Sequence, residues 1–384
     1  MKIAIIGPYY RPLLSGIEKI MDMQARLLSA RGHEVLVLTS KLRFPDGTFD
    51  VPERETIDGV AVRRLHVARR RPPWPMSYPS NGGWRIDGLA QALREFAPDI
   101  VHAHNIGAPA WADGAAAYAR DAGKPFFYSS YHHPDTLRLD TLRKLVLRRL
   151  NRHPLRDAAR VYHLTRSDFD KLLIDYPDAQ ADTFAVLSAG ISAPLEQLRG
   201  VPHGTNLLFV GRVDDARKGF SVLEKAYDRL RAQHGDAAPT LAVVGAVGEE
   251  TRARLSAKYG STIDLAGIVD EAELERRYAS AGVFVMPSYY EGFGMPYIEA
   301  MRYGVPVVGT RVGGIPEVVP EETGLLVPPG DADALAAALT QLIANPALRY
   351  ELGTAGRSWS ERFHWPRIVD QLEADYIAAA EVKR

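Results

Sequence analysis

Short, unbroken apolar runs alternate along this chain with longer segments whose apolar residues recur every three or four positions. Residues 3–7, 34–39 and 125–131 are strand candidates of the first kind, as are residues 99–104 despite His102 and His104, and turn signals such as Gly7-Pro8 and Arg31-Gly32 bound them. Residues 17–30 and 111–122 are of the second kind. Unbroken apolar runs suit strands covered on both faces, and the longer periodic segments suit the helices that cover them. The pattern therefore predicts β-α-β units and a parallel sheet between helices, an α/β fold. It restarts at residues 206–211, with further strands expected at 240–245, 263–267, 283–287 and 305–309. Residues 188–204 break the rhythm with glycine and proline and read as a linker between two Rossmann-like halves. A final helix is expected from residue 365 to about residue 382.

A chain of 384 residues is too long for one ordinary core and suits two domains. Lys plus Arg and Asp plus Glu both number 47, which excludes a globally basic nucleic-acid binder, although the basic side chains lean toward the first 200 residues. With no cysteine, neither a disulfide framework nor a thiolate metal site can form. The apolar run at the N-terminus stops at Gly7-Pro8, short of a signal-peptide core. Nothing approaches the roughly 18 consecutive apolar residues of a membrane span, so a soluble, cytoplasmic protein is expected.

The most distinctive stretch is residues 288–299, where Glu291 and Glu299 bracket a loop carrying Gly292, Phe293 and Gly294. The loop runs into a helix that has Pro296 in its first turn, a position where proline is tolerated. Glycines let backbone approach a ligand, and N–H groups at a helix start attract phosphate. Glu299 is expected in the first turn, able to accept hydrogen bonds from a ribose diol or simply to complement the helix dipole. Upstream, Gly211-Arg212 ends a strand and Lys218-Gly219 opens a helix, so two positive charges and a helix start converge. That suits a diphosphate, with arginine as a planar fork and lysine as a point charge. The alternative is a solvated loop of charges that includes Asp214, Asp215 and Arg217.

These motifs, continued by residues 300–308 and 313–317, resemble the retaining GT-B glycosyltransferases of family 4. The resemblance implies GT-B architecture, two Rossmann-like domains facing each other across a cleft. Residues 1–190 would form an acceptor-side domain and residues 205–364 a nucleotide-sugar-binding domain, with a helix at 365–384 crossing back. It implies transfer of a sugar, with retention, from a nucleoside diphosphate donor to a hydroxyl of a lipid-linked or cell-surface glycan. GDP-mannose is the first expectation and a UDP-sugar the next. Arg212, Lys218 and Glu291, with His132 in the segment 131–134, match the family's catalytic positions. Ser15, Gly16, Gly211, Arg212, Lys218, Gly292, Phe293, Gly294 and Glu299 match its donor-binding ones. Ser15 replaces the first glycine of the family's loop, and Glu18 completes it. No metal or other cofactor is expected, because the cationic pair can stabilise the leaving diphosphate. A front-face reaction is preferred, with Glu291 orienting sugar hydroxyls. Another GT-B activity, epimerase or phosphorylase, or a non-catalytic sugar-nucleotide-binding subunit are the alternatives.

Other polar groups read as structural. His102 and His104 share a face of one strand but lack further ligands at metal spacing, and are expected to be hydrogen-bonded in the interior. His133 precedes a proline, which restricts it to extended backbone. Asp331 and Asp333 should cap and charge a helix start, and Asp168 and Asp170 cannot face one another within a helix. The segment from Arg138 to Arg160 also carries Arg143, Lys144, Arg148, Arg149, Arg152 and Arg156 among leucines. It is an amphipathic basic helix that either rests on anionic lipid or packs on its domain with the arginines outside. Residues 69–75 add a second basic, aromatic loop.

Overall fold

The structure is a computed structural model describing residues 1–13, 16–43, 47–69, 84–131, 141–177, 179–198 and 204–382, the side chains of 141–147 excepted. The chain divides into two compact units, Met1–Gly190 with Trp365–Arg384, and Ile191–His364.

In the first unit the elements are β1 (Lys2–Ile6), α1 (Gly16–Ala30), β2 (Glu34–Ser40), β3 (Arg54–Ile57), β4 (Val60–Leu65), β5 (Val67–Arg69) and β6 (Trp84–Ile86). There follow α2 (Leu89–Phe96), β7 (Ile100–His104), α3 (Pro109–Asp121), β8 (Phe126–Ser129), α4 (Thr141–Asp157), β9 (Arg160–His163), α5 (Arg166–Asp175) and β10 (Phe184–Val186). Eight of these strands form one sheet in the order β10-β9-β8-β7-β1-β2-β4-β3, parallel except for β3. Strands β1 and β7 are buried throughout their centres because helices cover both faces, which explains the apolar run of β1 and the burial of His102 and His104 on β7. Helix α3 supplies Ala112, Ala115, Ala116 and Ala119 to the core, and such small side chains allow close approach to the sheet.

The second unit holds β11 (Leu207–Val210), α6 (Phe220–His234), β12 (Leu241–Val244), α7 (Glu249–Tyr259), β13 (Ile263–Gly267), α8 (Glu271–Ser280), β14 (Val283–Val285) and α9 (Met295–Met301). It continues with β15 (Val307–Thr310), α10 (Ile315–Val318), β16 (Gly324–Val327), α11 (Ala332–Ala344) and α12 (Pro346–Ser360). Its six strands lie parallel in the order β13-β12-β11-β14-β15-β16. Side-chain caps start two of these helices: Asp270 accepts from the Glu273 N–H at 2.7 Å and, as expected, Asp331 from the Ala334 N–H at 2.8 Å. Asp331 is thus a helix cap, and Asp333 pairs with Arg229.

The last helix, α13 (Trp365–Val382), belongs to the first unit. Arg31 bonds both Asp370 and Glu373 at 2.6 Å, and Tyr162 donates to Asp375 at 2.7 Å. Gly190 lies so near the Trp365 ring that a Cβ there would come within 2.3 Å of it.

Candidate functional site

Open α/β sheets bind ligands beyond the carboxyl ends of their strands, where the order of connection reverses. In the second unit that point lies between β11 and β14, neighbours in the sheet that are far apart in sequence. The loop after β11 carries Arg212 and Lys218, and the loop after β14 carries Glu291. The structure brings the last two together: the Lys218 ammonium donates to Glu291 Oε1 at 2.5 Å, and the Ser288 hydroxyl donates to the same oxygen at 3.2 Å. Both charged groups are mostly shielded, at 24% and 14% exposure.

Glycines make this closeness possible. Gly219 has φ +67°, and a Cβ on it would lie 1.9 Å from the Pro287 carbonyl oxygen, so only glycine lets the β11 loop rest on the end of β14. Gly313, at φ +52°, approaches the Glu291 carbonyl in the same way, and the Gly314 N–H donates to that carbonyl at 3.1 Å. The Gly211 N–H donates to Val244 at 2.8 Å, holding the end of β11 to β12.

Arg212 is two-thirds exposed and donates to Asp215 at 2.9 Å. The Asp215 carboxylate, only 10% exposed, also takes the Arg217 guanidinium at 2.7 Å and the Arg217 N–H at 3.1 Å. Hydrogen bonds from Arg217 hold its pKa well below the usual carboxylate range. Asp214 accepts from the Gly248 N–H at 2.7 Å and from Thr251 at 2.8 Å, which ties the loop to the start of α7. The loop is therefore an ion network gathered on the shielded Asp215, while its arginines remain exposed to solvent. Asp215 was not singled out from the sequence, although an aspartate two residues before an arginine at a helical turn is a capping signal.

One expectation needs correction. Helix α9 begins at Met295 with Gly294 as its cap at φ 86°, so Glu299 stands in the second turn, not the first. Its carboxylate accepts from the Tyr278 hydroxyl at 2.8 Å, a partner on α8 that no local pattern reveals. Burial, then the nearby Glu299 charge, pushes the Tyr278 hydroxyl well above its ordinary pKa. Phe293 is buried with its ring edge-on to Phe363, centroids 5.7 Å apart, so its side chain belongs to the core. Gly294 is needed for its backbone angle, and a Cβ there would strike the Tyr297 ring at 2.8 Å.

Within the first unit, Gly16 opens α1 and Glu18 is buried two residues further along the same turn. His132, His133, Ser15, Arg138 and residues 70–75 lie outside the described residues, as do the side chains of Arg143 and Lys144. His102 and His104 are fully buried on β7: His102 contacts the Tyr376 hydroxyl at 2.5 Å and Ser129 at 2.9 Å, and His104 contacts Tyr131 at 3.1 Å. Burial lowers both imidazole pKa values, His104 to about 3. Asp168 is buried at the start of α5 behind its Thr165 cap, while Asp170 pairs outward with Arg166. Among the described residues no three His, Asp or Glu side chains are grouped to hold a metal ion, and no helix is long and apolar enough to cross a membrane. On α4, Asn151, Pro154 and Leu155 face the interior while Arg149 and Arg152 are exposed.

Residues 204–345 match the family described as Glycosyl transferases group 1, and residues 15–174 match the Glycosyl transferase 4-like domain. A phosphatidyl-myo-inositol mannosyltransferase of Mycobacterium leprae is 30% identical over 99% of this chain and 97% of the relative. This chain is a glycosyltransferase of group 1, family 4. The glycosyltransferase is also 29% identical to O-antigen chain mannosyltransferase B of Escherichia coli, over 97% of this chain and 98% of that one. Its GT-B fold is that of sucrose-phosphate synthase from Thermosynechococcus elongatus, with a TM-score of 0.71, 24% identity and 98% of each chain covered. Membership of the family makes it an enzyme, in place of the non-catalytic binding subunit.

Proposed function

We propose that the enzyme moves a hexose, mannose first, from a nucleoside diphosphate sugar to a hydroxyl of a lipid-linked or cell-surface glycan, retaining the anomeric configuration. The observation that supports this most is the meeting of Lys218 and Glu291 at the switch point of the second sheet, with Arg212 on the same loop as Lys218. As the glycosidic bond breaks, negative charge builds on the departing diphosphate. Arg212 and Lys218 stabilise that charge as a fork and a point charge, in the role a metal ion would otherwise fill. The carboxylate of Glu291 then accepts from sugar hydroxyls and orients the ring. Retention follows if the departing phosphate takes the proton of the acceptor hydroxyl on the face it leaves.

The printed names of the two relatives support mannose as the sugar, and hence GDP-mannose as the first donor to test, with UDP-sugars next. Those names also span a phosphoinositide lipid and a glycan chain as acceptors. The exposed arginines of α4 favour work at an anionic membrane surface, without insertion.

A panel of GDP- and UDP-sugars, offered with phosphatidylinositol and with lipid-linked glycans, tests the reading. Acceptor-dependent release of nucleoside diphosphate is expected for one donor, with an axial-to-axial or equatorial-to-equatorial product by NMR and undiminished rate in excess EDTA. No acceptor-dependent turnover with any donor would refute the transfer. An inverted product would refute retention, and loss in EDTA with rescue by Mn²⁺ would refute metal independence.

A further inference from the structure

Glu291 holds Lys218 through the same ammonium that the proposed function assigns to the diphosphate. Two anions thus have claims on one cation. The pair is mostly shielded from solvent, so it is less screened than a surface ion pair. Neither partner can retreat through its backbone. The Glu291 carbonyl is fixed by the Gly314 N–H at 3.1 Å and by the close approach of Gly313. The Lys218 N–H donates to the Asp215 carbonyl at 2.9 Å, and the next residue, Gly219, is wedged against Pro287. Any exchange of partners must therefore be made by side-chain rotation.

The two cations differ in what their departure leaves behind. If Arg212 turns to a ligand, Asp215 keeps the Arg217 guanidinium and N–H, so its charge stays compensated. If Lys218 turns to a ligand, Glu291 retains the Ser288 hydroxyl but loses its cation. A mostly buried carboxylate in that position is costly unless new donors replace the lost one. The hydroxyls of a donor sugar are such donors, whereas a nucleoside diphosphate without its sugar has none to offer there.

We propose that Glu291 is a specificity switch between donor and product, competing with a nucleoside diphosphate for Lys218 unless a sugar satisfies it. The proposal rests on Lys218 being a diphosphate ligand. The intact sugar nucleotide captures Lys218 and occupies Glu291 with its hydroxyls. Once the sugar has been transferred, Glu291 reclaims Lys218 and weakens the hold on the departing nucleotide.

Calorimetric titration with UDP and GDP, without added metal, tests this on wild type, Glu291→Gln, Lys218→Met and the double variant. Glutamine keeps an acceptor for Ser288 and removes the charge. Glu291→Gln should bind the nucleoside diphosphate about tenfold tighter than wild type, the scale of one charge-assisted hydrogen bond. Glu291→Ala should show the same gain, and thermal unfolding midpoints near wild type confirm that both variants are folded. The gain should vanish on the Lys218→Met background. Unchanged or weaker binding by both folded Glu291 variants overturns the proposal. So does an equal gain with and without Lys218, which would mean simple charge repulsion. If Glu291→Gln and the double variant bind UDP and GDP equally, the diphosphate assignment of Lys218 itself fails, and the switch with it.

Discussion

His102 on β7 and Tyr376 on α13 stand 274 residues apart in the chain and share a buried hydrogen bond of 2.5 Å. The same imidazole meets Ser129 through its other nitrogen, so a strand in the centre of the sheet, the next strand and the last helix are joined at one ring. Phe127 and Tyr162 pack around it, with the Phe127 and Tyr376 rings 4.7 Å apart.

Replacing Tyr376 with Phe removes the hydroxyl and leaves His102 Nδ1 buried without it. The expected cost is about 1–3 kcal/mol, the desolvation penalty of a stranded polar atom. Urea denaturation followed by far-UV circular dichroism should show a lower midpoint. A midpoint equal to wild type would mean the bond contributes nothing.

The buried imidazoles set a pH dependence of stability. His102 and His104 have folded pKa values below the ordinary 6.5, His104 at about 3, so they stay neutral in the fold while the unfolded chain takes up protons. The unfolded state then binds more protons, and stability falls as pH drops from about 6.5 toward 3, by up to about 1.4 kcal/mol per pH unit for each histidine. Thermal midpoints measured between pH 7.5 and 4.5 should decline. The slope should lessen in His104→Asn, which loses one of the two titrating groups.

Arg212→Ala and Lys218→Ala should each slow turnover strongly. In the proposed mechanism each removes a donor to charge that grows in the transition state, a loss of about 2.7–4 kcal/mol. Steady-state kinetics on the identified donor and acceptor decide it, and wild-type kcat/KM in both variants would mean that the phosphate site lies elsewhere.

Asp215→Asn tests whether the network on that loop positions Arg212. Freed from its carboxylate, Arg212 samples more rotamers, and kcat/KM should fall by about tenfold, less than for Arg212→Ala. On an Arg212→Ala background the same change should have little further effect, which a purely structural role of Asp215 would not produce.

Exposed Arg149 and Arg152 on α4 should contribute to binding of anionic vesicles, each basic side chain near such a surface being worth about 1 kcal/mol. Co-sedimentation with phosphatidylserine vesicles should weaken at high salt, and Arg149→Glu with Arg152→Glu should weaken it further while sparing donor hydrolysis. Wild-type protein left in the supernatant at low and high salt alike would show that α4 is ordinary domain surface.

Much of the architecture was legible from local pattern. Strands such as Ile263–Gly267 and Leu207–Val210, and the closing helix Trp365–Val382, announce themselves because each is apolar on the faces it buries and is bounded by turn residues. The hairpin of Arg54–Ile57 and Val60–Leu65 did not, because Arg63 and Arg64 interrupt its apolar alternation. Arg64 is nonetheless buried, bonding Glu55 and the carbonyls of Pro52 and Arg11. A guanidinium can be interior only when its donors are satisfied, and those partners are visible only once the chain has folded.

The candidate site divides along the same line. Residue types and spacing offered Arg212, Lys218 and Glu291 as candidates beside a plain reading as loop charges, and the resemblance to the family gave them their expected roles. That Lys218 meets Glu291 and that Glu299 answers to Tyr278 were decided by tertiary structure, whereas Asp215 gathers its two arginines from within three residues of itself. Strand order is the physical reason for the first of these: β11 and β14 are neighbours in the sheet, so loops far apart in sequence leave it side by side. A hydrogen bond between residues 73 positions apart has no trace in periodicity, because only the packed sheet brings its two ends within reach.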